Sequence, residues 1–217
     1  MNRLDAVHNL AKKKVEKYGL TPPVDLYPIF EAINVEIVEE INYLGIEAPE
    51  LISDVEDGQD VILVDHNSFL QTVPNIEKAN ILKVIDHHCI SDFCIKYPTY
   101  VRTEVIGCTE SILYKLYKEN NVEIDKKIAT LMLSAIISDT LLFKSPTCTK
   151  EDIEIANELA KIAELDANTY GLDMLKAGTD LTGFSAKDIL FIDAKETSLK
   201  DVKSIIAQVN TACIDDV

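Results

Sequence analysis

The chain has 217 residues, of which 47% are hydrophobic and 27% are charged, a composition typical of a globular protein with one or two domains. A formal net charge of −16 argues against nucleic acid as the main partner, because binding its phosphates requires a cationic surface. No apolar stretch reaches the roughly 18 residues of a membrane span, so we expect no membrane contact. Five cysteines without a Cys-x-x-Cys pair predict reduced thiols in a cytoplasmic protein.

The first 40 residues have a helical pattern followed by an extended one. Apolar residues recur at helical spacing from Leu4 to Tyr18, and Thr21-Pro22-Pro23 ends that pattern. A second short helix is predicted over Val24 to Ile33, and a strand over Val35 to Glu39.

From Val55 onward, predicted strands alternate with predicted helices, which indicates an α/β fold with a parallel sheet and crossover helices. Three strands come first, and Thr109 is a candidate cap for the helix that follows them. The predicted strands are Val61 to Asp65, Ile81 to His88, Tyr100 to Val105 and Ser204 to Val209; the predicted helices are Thr109 to Glu119, Ile124 to Asp139, Glu151 to Ile162, Asp166 to Lys176 and Ser185 to Leu190.

Two of these strands end in similar polar triplets. The first ends in Asp65-His66-Asn67 and the second in Asp86-His87-His88, which together hold three of the four histidines of the chain. Parallel sheets bind ligands at the carboxyl ends of their strands, so both triplets would lie at one rim. One such ending would more often be a helix cap, but two favour a metal site. Mixed carboxylate and imidazole ligands suit Mn²⁺, Zn²⁺ or Fe²⁺ better than an all-oxygen Mg²⁺ site.

Two further residues are candidates for the same site. Asp139, at the end of a strongly apolar helix, is either an ordinary solvated helix end or a further metal ligand. Lys176 is either a helix lysine that extends to solvent or a group that binds a terminal phosphate. Divalent ions held by such ligands could activate a water molecule and neutralise phosphate oxygens, which is the chemistry of phosphate-ester cleavage.

Several segments together resemble one family. VILVDHN, KVIDHH, VIGCTESILYKLYKENNVEI, LMLSAIISDTLLFKSPTCT and YGLDMLKAGTDL are similar to the manganese-dependent (family II) inorganic pyrophosphatases of the DHH phosphoesterase superfamily. The resemblance implies hydrolysis of pyrophosphate to two phosphates with Mn²⁺ or Co²⁺, assisted by Mg²⁺, between a DHH domain and a DHHA2 domain. It also implies roles for individual residues: Asp65, His87 and Asp139 match metal ligands, Asp86 an acid that orients the site, His88 a catalytic residue facing substrate and metal, and Lys176 a phosphate-binding lysine.

The resemblance has two gaps. The family's GHxxPDxD ligand loop, which follows its first strand, and its Ser-Arg-Lys-Lys-Gln segment do not occur in this sequence. We therefore expect a chain truncated at both ends: a DHH domain over residues 41–162 without its usual first strand, and a partial DHHA2 domain over residues 163–217. We expect residues 1–40 to form a helical segment of uncertain origin; it resembles the start of ImmA/IrrE-type peptidases, although the chain has no His-Glu-x-x-His motif.

Three functions follow from this pattern. The first is pyrophosphate hydrolysis weakened by truncation, with pyrophosphate or phosphate as the partner and with homo-oligomerisation left open. The second is an inactive fragment that binds metal or phosphate, or a subunit that depends on a partner. The third is a DHH-type nucleotide phosphoesterase, which the acidic charge opposes.

Overall fold

Three parallel strands form the sheet that carries the predicted site. The computed structural model describes residues 53–69, 72–90, 92–178, 185–191, 193–199 and 202–208. Within them, β1 spans Asp60–Val64, β2 spans Asn80–Asp86 and β3 spans Tyr100–Thr103, in the order β1-β2-β3. The predicted α/β class and parallel pairing are confirmed. The helices and strands predicted within residues 1–40 lie outside the described residues.

The register of β1 on β2 brings the ends of both strands to one rim. Val64 lies opposite Ile85, so the next residues along the two chains, Asp65 and Asp86, come nearly side by side. A bulge between Val61 and Ile62 shifts the register once, and such bulges are common where a strand must re-aim its side chains. The strands therefore deliver the two polar triplets side by side.

Five α-helices occur in the described part of the chain, together with a 3-10 turn at Ile76–Lys78. All five predicted helices beyond β3 are confirmed within two residues of their predicted ends. They are α1 (Thr109–Glu119), α2 (Lys126–Thr140), α3 (Lys150–Ala163), α4 (Ala167–Gly178) and α5 (Ala186–Phe191).

The capping residues explain where these helices begin. Asp125 caps α2 by accepting a hydrogen bond from the Ile128 backbone N–H at 2.9 Å. Thr149 and Asp152 form a reciprocal capping box at the start of α3. The prediction that Thr109 caps α1 is wrong, because Cys108 occupies the cap position and makes no side-chain cap bond. The Thr109 hydroxyl instead donates to Asp65.

Apolar side chains pack against both faces of β2. Successive strand residues point to opposite faces, and the neighbours Val84 and Ile85 belong to different clusters. Val84 packs with Leu63, Ile76 and Ile81 on one face, whereas Ile85 packs with residues of the loop before α1 and of α1 itself, namely Ile106 and Ile112. Helix α1 is thereby fixed against β2, close to the rim.

The described chain divides into two compact units. One unit ends at Gly171, within α4, and the described residues from Leu172 onward belong to the other. In that second unit, β4 (Asp193–Leu199) pairs antiparallel with β5 (Val202–Gln208). The predicted final strand is confirmed as β5, but β4 was not predicted, because its sequence DAKETSL has little apolar character. No helix among the described residues is both long and apolar enough to cross a bilayer.

Candidate metal centre

Asp65 stands at the point where β1 ends and the chain turns. Its backbone adopts a left-handed conformation with φ of 67°, which costs energy for any residue with a Cβ and is tolerated best by Asn and Asp. The Asp65 N–H still donates to the Ile85 carbonyl oxygen at 2.9 Å, so pairing with β2 continues to this residue. The turn is therefore fixed at its backbone while the carboxyl group stays half exposed at the rim.

The rim holds a group of three side chains that could bind a metal ion together. Asp65, His87 and His88 each offer one ligand atom, and these atoms lie within 4.8 Å of one another. The Asp65 Oδ1 atom is 3.7 Å from Nε2 of His87 and 4.0 Å from Nδ1 of His88. The two imidazole rings meet edge to face with centroids 4.2 Å apart. Carboxylate and imidazole donors at this spacing fit Mn²⁺ or a similar divalent ion.

The hydrogen bond of His87 fixes which of its nitrogens is available. Its Nδ1 atom lies 3.1 Å from the Ile106 carbonyl oxygen. A carbonyl only accepts, so Nδ1 carries the hydrogen and the lone pair remains on Nε2, the nitrogen nearest Asp65. A backbone carbonyl behind the ring is the usual arrangement for a metal-binding histidine.

Asp86 supports His88 from inside the protein. The carboxylate is fully buried, and it accepts hydrogen bonds from Nδ1 of His88 at 2.8 Å, from the His88 backbone N–H at 3.1 Å and from Nδ2 of Asn67 at 2.5 Å. Burial opposes ionisation, but these bonds outweigh it and lower the pKa of Asp86 below its ordinary value. Asp86 thus stays charged and fixes the ring of His88.

Two further acids border the rim, Glu110 at the start of α1 and Asp139 at the end of α2. The buried Cys108 thiol donates to Oε2 of Glu110 at 3.2 Å and also lies against Asp139. Limited access to water raises the pKa of both carboxyl groups, and the negative charge of Asp65 raises it further. Asp139 keeps part of its surface open to solvent. Three acids that repel one another at one rim create a local field that a cation would neutralise.

The predicted residues are therefore distributed as follows. Asp65, His87 and His88 come together, and Asp86 lies behind His88. Asp139 falls in the last turn of α2 and outside the close group of three, although its charge interacts with theirs. Lys176 is exposed in the last turn of α4. The metal-binding, catalytic and phosphate-binding roles of these residues stay predictions.

His66 does not belong to the close group. Its Nδ1 atom pairs with the Val64 carbonyl oxygen at 3.1 Å, while its buried Nε2 atom has no hydrogen-bond partner among the described residues. The triplet after β1 therefore contributes Asp65 to the rim, and Asn67 to the support of Asp86.

Sequence reasoning missed three residues at the rim, namely Cys108, Thr109 in its contact with Asp65, and Glu110. The signal that could have found them is their position, since they follow β3, the third parallel strand, and start a helix. That location is the same carboxyl edge where the two triplets lie.

Comparisons with known proteins identify the family of this chain. The model of the DHH family, N-terminal domain, matches residues 12–136, and that of the DHHA2 domain matches residues 172–217. The chain is 55% identical over 185 residues to a protein of Oceanobacillus iheyensis named a probable manganese-dependent inorganic pyrophosphatase. It is 52% identical over 186 residues to the manganese-dependent inorganic pyrophosphatase of Bacillus subtilis.

These alignments cover 85% of this chain but 60% of each relative, so the chain spans about 60% of the length of the curated relatives it matches. A solved structure from Methanococcus jannaschii, described as a candidate family II inorganic pyrophosphatase, superposes with a TM-score of 0.70 at 32% identity. The superposition covers 85% of this chain and 62% of the chain from Methanococcus jannaschii. The resemblance drawn from the sequence motifs is confirmed. Since the DHH model matches more than half of its residues, the chain belongs to the DHH family.

Proposed function

We propose that the chain hydrolyses inorganic pyrophosphate to two phosphates with the help of Mn²⁺. The observation that carries this proposal is the group formed by Asp65, His87 and His88 at the carboxyl ends of two parallel strands. The names of the relatives in Oceanobacillus iheyensis and Bacillus subtilis support both the substrate and the metal. The free thiols among the described residues agree with a reducing, cytoplasmic location, which is part of the same proposal.

Asp65, His87 and Asp139 are the proposed metal ligands. One carboxylate oxygen and the Nε2 lone pair of His87 suit Mn²⁺, and Co²⁺ or Mg²⁺ are the alternatives. A bound ion of this kind would activate water and neutralise phosphate oxygens. The mutual repulsion of Asp65 and Asp139 supports the assignment, because a cation would relieve the cost of holding both carboxylates charged.

His88 and Lys176 are the proposed substrate-facing residues. The bond from His88 Nδ1 to buried Asp86 fixes the imidazole tautomer and the orientation of the ring. His88 could then hold or move a proton at Nε2 next to the reacting phosphate. Lys176 keeps its sequence-based assignment as a phosphate contact, within a DHHA2 domain proposed to occupy residues 163–217.

The alternative is a chain that binds the cation without turnover. The size of the ligand group favours it, because a pair of ions sharing a water needs more ligands than the three side chains in close contact here. The alternative differs from the main proposal in activity and shares its cation site.

Phosphate release from pyrophosphate, measured with Mn²⁺, Co²⁺ or Mg²⁺, tests the proposal. The unaltered chain is compared with Asp65→Ala and with Asp57→Ala, an exposed aspartate that precedes β1 at the opposite end of the sheet. We expect metal-dependent turnover that falls by about 100-fold or more in Asp65→Ala, because a ligand is lost, and that is unchanged in Asp57→Ala. A nucleoside triphosphate serves as a second substrate.

Each result decides between the candidates. No turnover, together with a rise in Tm on adding Mn²⁺ that disappears in His87→Ala, would overturn hydrolysis and favour the cation-binding chain. Faster turnover of the nucleotide than of pyrophosphate would favour a nucleotide phosphoesterase. Turnover that Asp65→Ala leaves intact would place the chemistry elsewhere.

A further inference from the structure

The segment Gly107–Ser111, which leads from β3 into α1, contacts two carboxylates at once. One is Asp65 at the rim and the other is Asp152, a fully buried residue at the start of α3. We propose that Thr109 is a positioning residue that orients the Asp65 carboxylate for cation binding, and that Asp152 holds Thr109 in place. This inference rests on the proposed cation site and assigns a role to residues outside its ligand set.

The contact between Thr109 and Asp65 has a defined direction. The Thr109 Oγ1 atom lies 2.7 Å from Oδ1 of Asp65, and a charged carboxylate can only accept, so the hydroxyl donates. Thr109 is fully buried, and as the first residue of α1 it leaves the cap position to Cys108. Its hydroxyl therefore donates to Asp65, 44 residues away in the sequence, and does not cap the helix.

The same oxygen of Asp65 faces the histidines. Oδ1 lies 3.7 Å from Nε2 of His87, the nitrogen that keeps its lone pair. A carboxylate oxygen has two acceptor positions, and Thr109 fills one of them. The remaining position of Oδ1 is then available for a cation shared with His87. Without the hydroxyl, the half-exposed side chain of Asp65 would be free to rotate, and binding would have to order it.

Asp152 holds the segment on both sides of Thr109. It accepts from the Gly107 N–H at 2.9 Å and from the Ser111 hydroxyl at 2.6 Å, residues two positions before and two positions after Thr109. It also accepts from the N–H and hydroxyl of Thr149 at 2.8 and 2.7 Å, within the capping box of α3. Four donors compensate the burial of its charge.

Gly107 is required for this approach. A Cβ atom at that position would lie 2.8 Å from Oδ2 of Asp152 and 3.0 Å from the Thr140 methyl group. The absence of a side chain lets the backbone N–H reach the buried carboxylate. The start of α1 is thus joined to the start of α3 by contacts that involve none of the proposed metal ligands.

The affinity of the full chain for Mn²⁺ alone, read from the free-ion signal in electron paramagnetic resonance, tests this inference. Thr109→Val keeps the shape and removes the hydroxyl, whereas Thr109→Ser keeps the hydroxyl. Residues that orient a ligand change metal affinity by roughly 10- to 100-fold. We expect a loss of that size in Thr109→Val and affinity within about 3-fold of the unaltered chain in Thr109→Ser.

Two further variants separate positioning from general packing. Thr130→Val removes an equally buried hydroxyl in α2, bonded to the Lys126 carbonyl at 2.8 Å, and should leave Mn²⁺ affinity unchanged. Ser111→Ala removes one bond to Asp152 and should weaken binding in the same direction as Thr109→Val, but by less. Far-ultraviolet circular dichroism confirms that each variant is folded.

The outcomes distinguish this inference from the proposed function. If Asp65→Ala abolishes Mn²⁺ binding while Thr109→Val binds like the unaltered chain, the positioning role is wrong and the cation site stands. If Thr109→Ser binds as poorly as Thr109→Val, the hydroxyl is not the cause and the inference also fails. If the unaltered chain binds no Mn²⁺, or Asp65→Ala binds it normally, the cation site itself is wrong and the inference falls with it.

Discussion

Two pairs of aspartates in this chain show how differently a fold can treat the same side chain. Asp86 and Asp152, the interior pair, are fully buried, and each accepts at least three hydrogen bonds from nearby donors. Asp65 and Asp139, the rim pair, lie in partly open positions; limited access to water, and then the charge of Asp65, raise the pKa of Asp139. Each acid of the interior pair is surrounded by hydrogen-bond donors, whereas each acid of the rim pair lies near the negative charge of the other.

The difference indicates which acids hold the structure and which serve a ligand. A buried carboxylate is tolerated when its oxygens are fully hydrogen-bonded, and it then fixes the elements that supply the donors. Acids that repel one another in a cleft cost stability, and such arrangements are concentrated at functional sites. The interior pair should therefore respond to substitution through unfolding, and the rim pair through cation binding.

Asp152→Ala should have the largest effect on stability. It leaves the donors of Gly107, Ser111 and Thr149 without their acceptor inside the protein, so the free energy of unfolding should fall by about 3–5 kcal/mol. Urea denaturation measures the loss. The matched control is Asp125→Ala, an exposed helix cap, which should cost about 1 kcal/mol. Equal losses in the two variants would contradict the special status of the interior pair.

Glu104→Gln tests a third kind of acid, one that is partly buried and forms ion pairs with cationic side chains. Glu104 pairs with Lys115 and, at 2.8 Å, with Nε of Arg102. Partial burial opposes ionisation, but these cations outweigh it and lower the pKa of Glu104. A lowered folded-state pKa adds stability above the unfolded value of about 4.3, and this stability is lost as the pH falls through the lower folded value.

Glu104→Gln should therefore cost about 1 kcal/mol at pH 7. The difference from the unaltered chain should shrink steadily once the pH drops below about 4.3. Urea denaturation across that range measures it. A difference that stays constant with pH would show that the glutamate acts through shape alone and not through charge.

Asp65→Asn should have the smallest effect on stability and the opposite sign. It removes one of the three repelling charges at the rim but keeps an oxygen that can accept from Thr109. Because Asp65 is half exposed, solvent screens the repulsion, and the metal-free protein should gain only about 0.5 kcal/mol. Thermal unfolding with a chelator measures this gain. A clear loss of stability would mean that Asp65 holds the structure, as the interior pair does.

The local parts of this fold could be predicted from the sequence. The β-branched runs gave β1 and β2, helical periodicity gave α1 to α5, and the paired endings Asp65-His66-Asn67 and Asp86-His87-His88 correctly indicated one rim. These features depend on neighbours within a few residues. Different roles for Asp86 and His87 are predicted only through the resemblance to a known family, and they stay predictions.

The long-range parts could not be predicted. Thr109 looks like a helix cap because its neighbours in sequence allow that role, yet its hydroxyl reaches Asp65 once β1 and α1 are packed. Asp152 looks like a capping-box acid, which it is, but its bonds to Gly107 and Ser111 join elements more than 40 residues apart. The polar strand β4 escaped detection because its partner β5, and not its own sequence, stabilises it.

The Cys108 thiol at the start of α1 has a practical consequence for experiments on this chain. Burial, and then the charge of Glu110, raise its pKa, so it resists alkylating reagents in the folded protein. Cys89 and Cys94 are exposed and should react first. Slow alkylation of Cys108 would then report how often the start of α1 opens, and a cation held at the neighbouring rim should slow it further. Cys108 is thus a native probe of local opening at the rim.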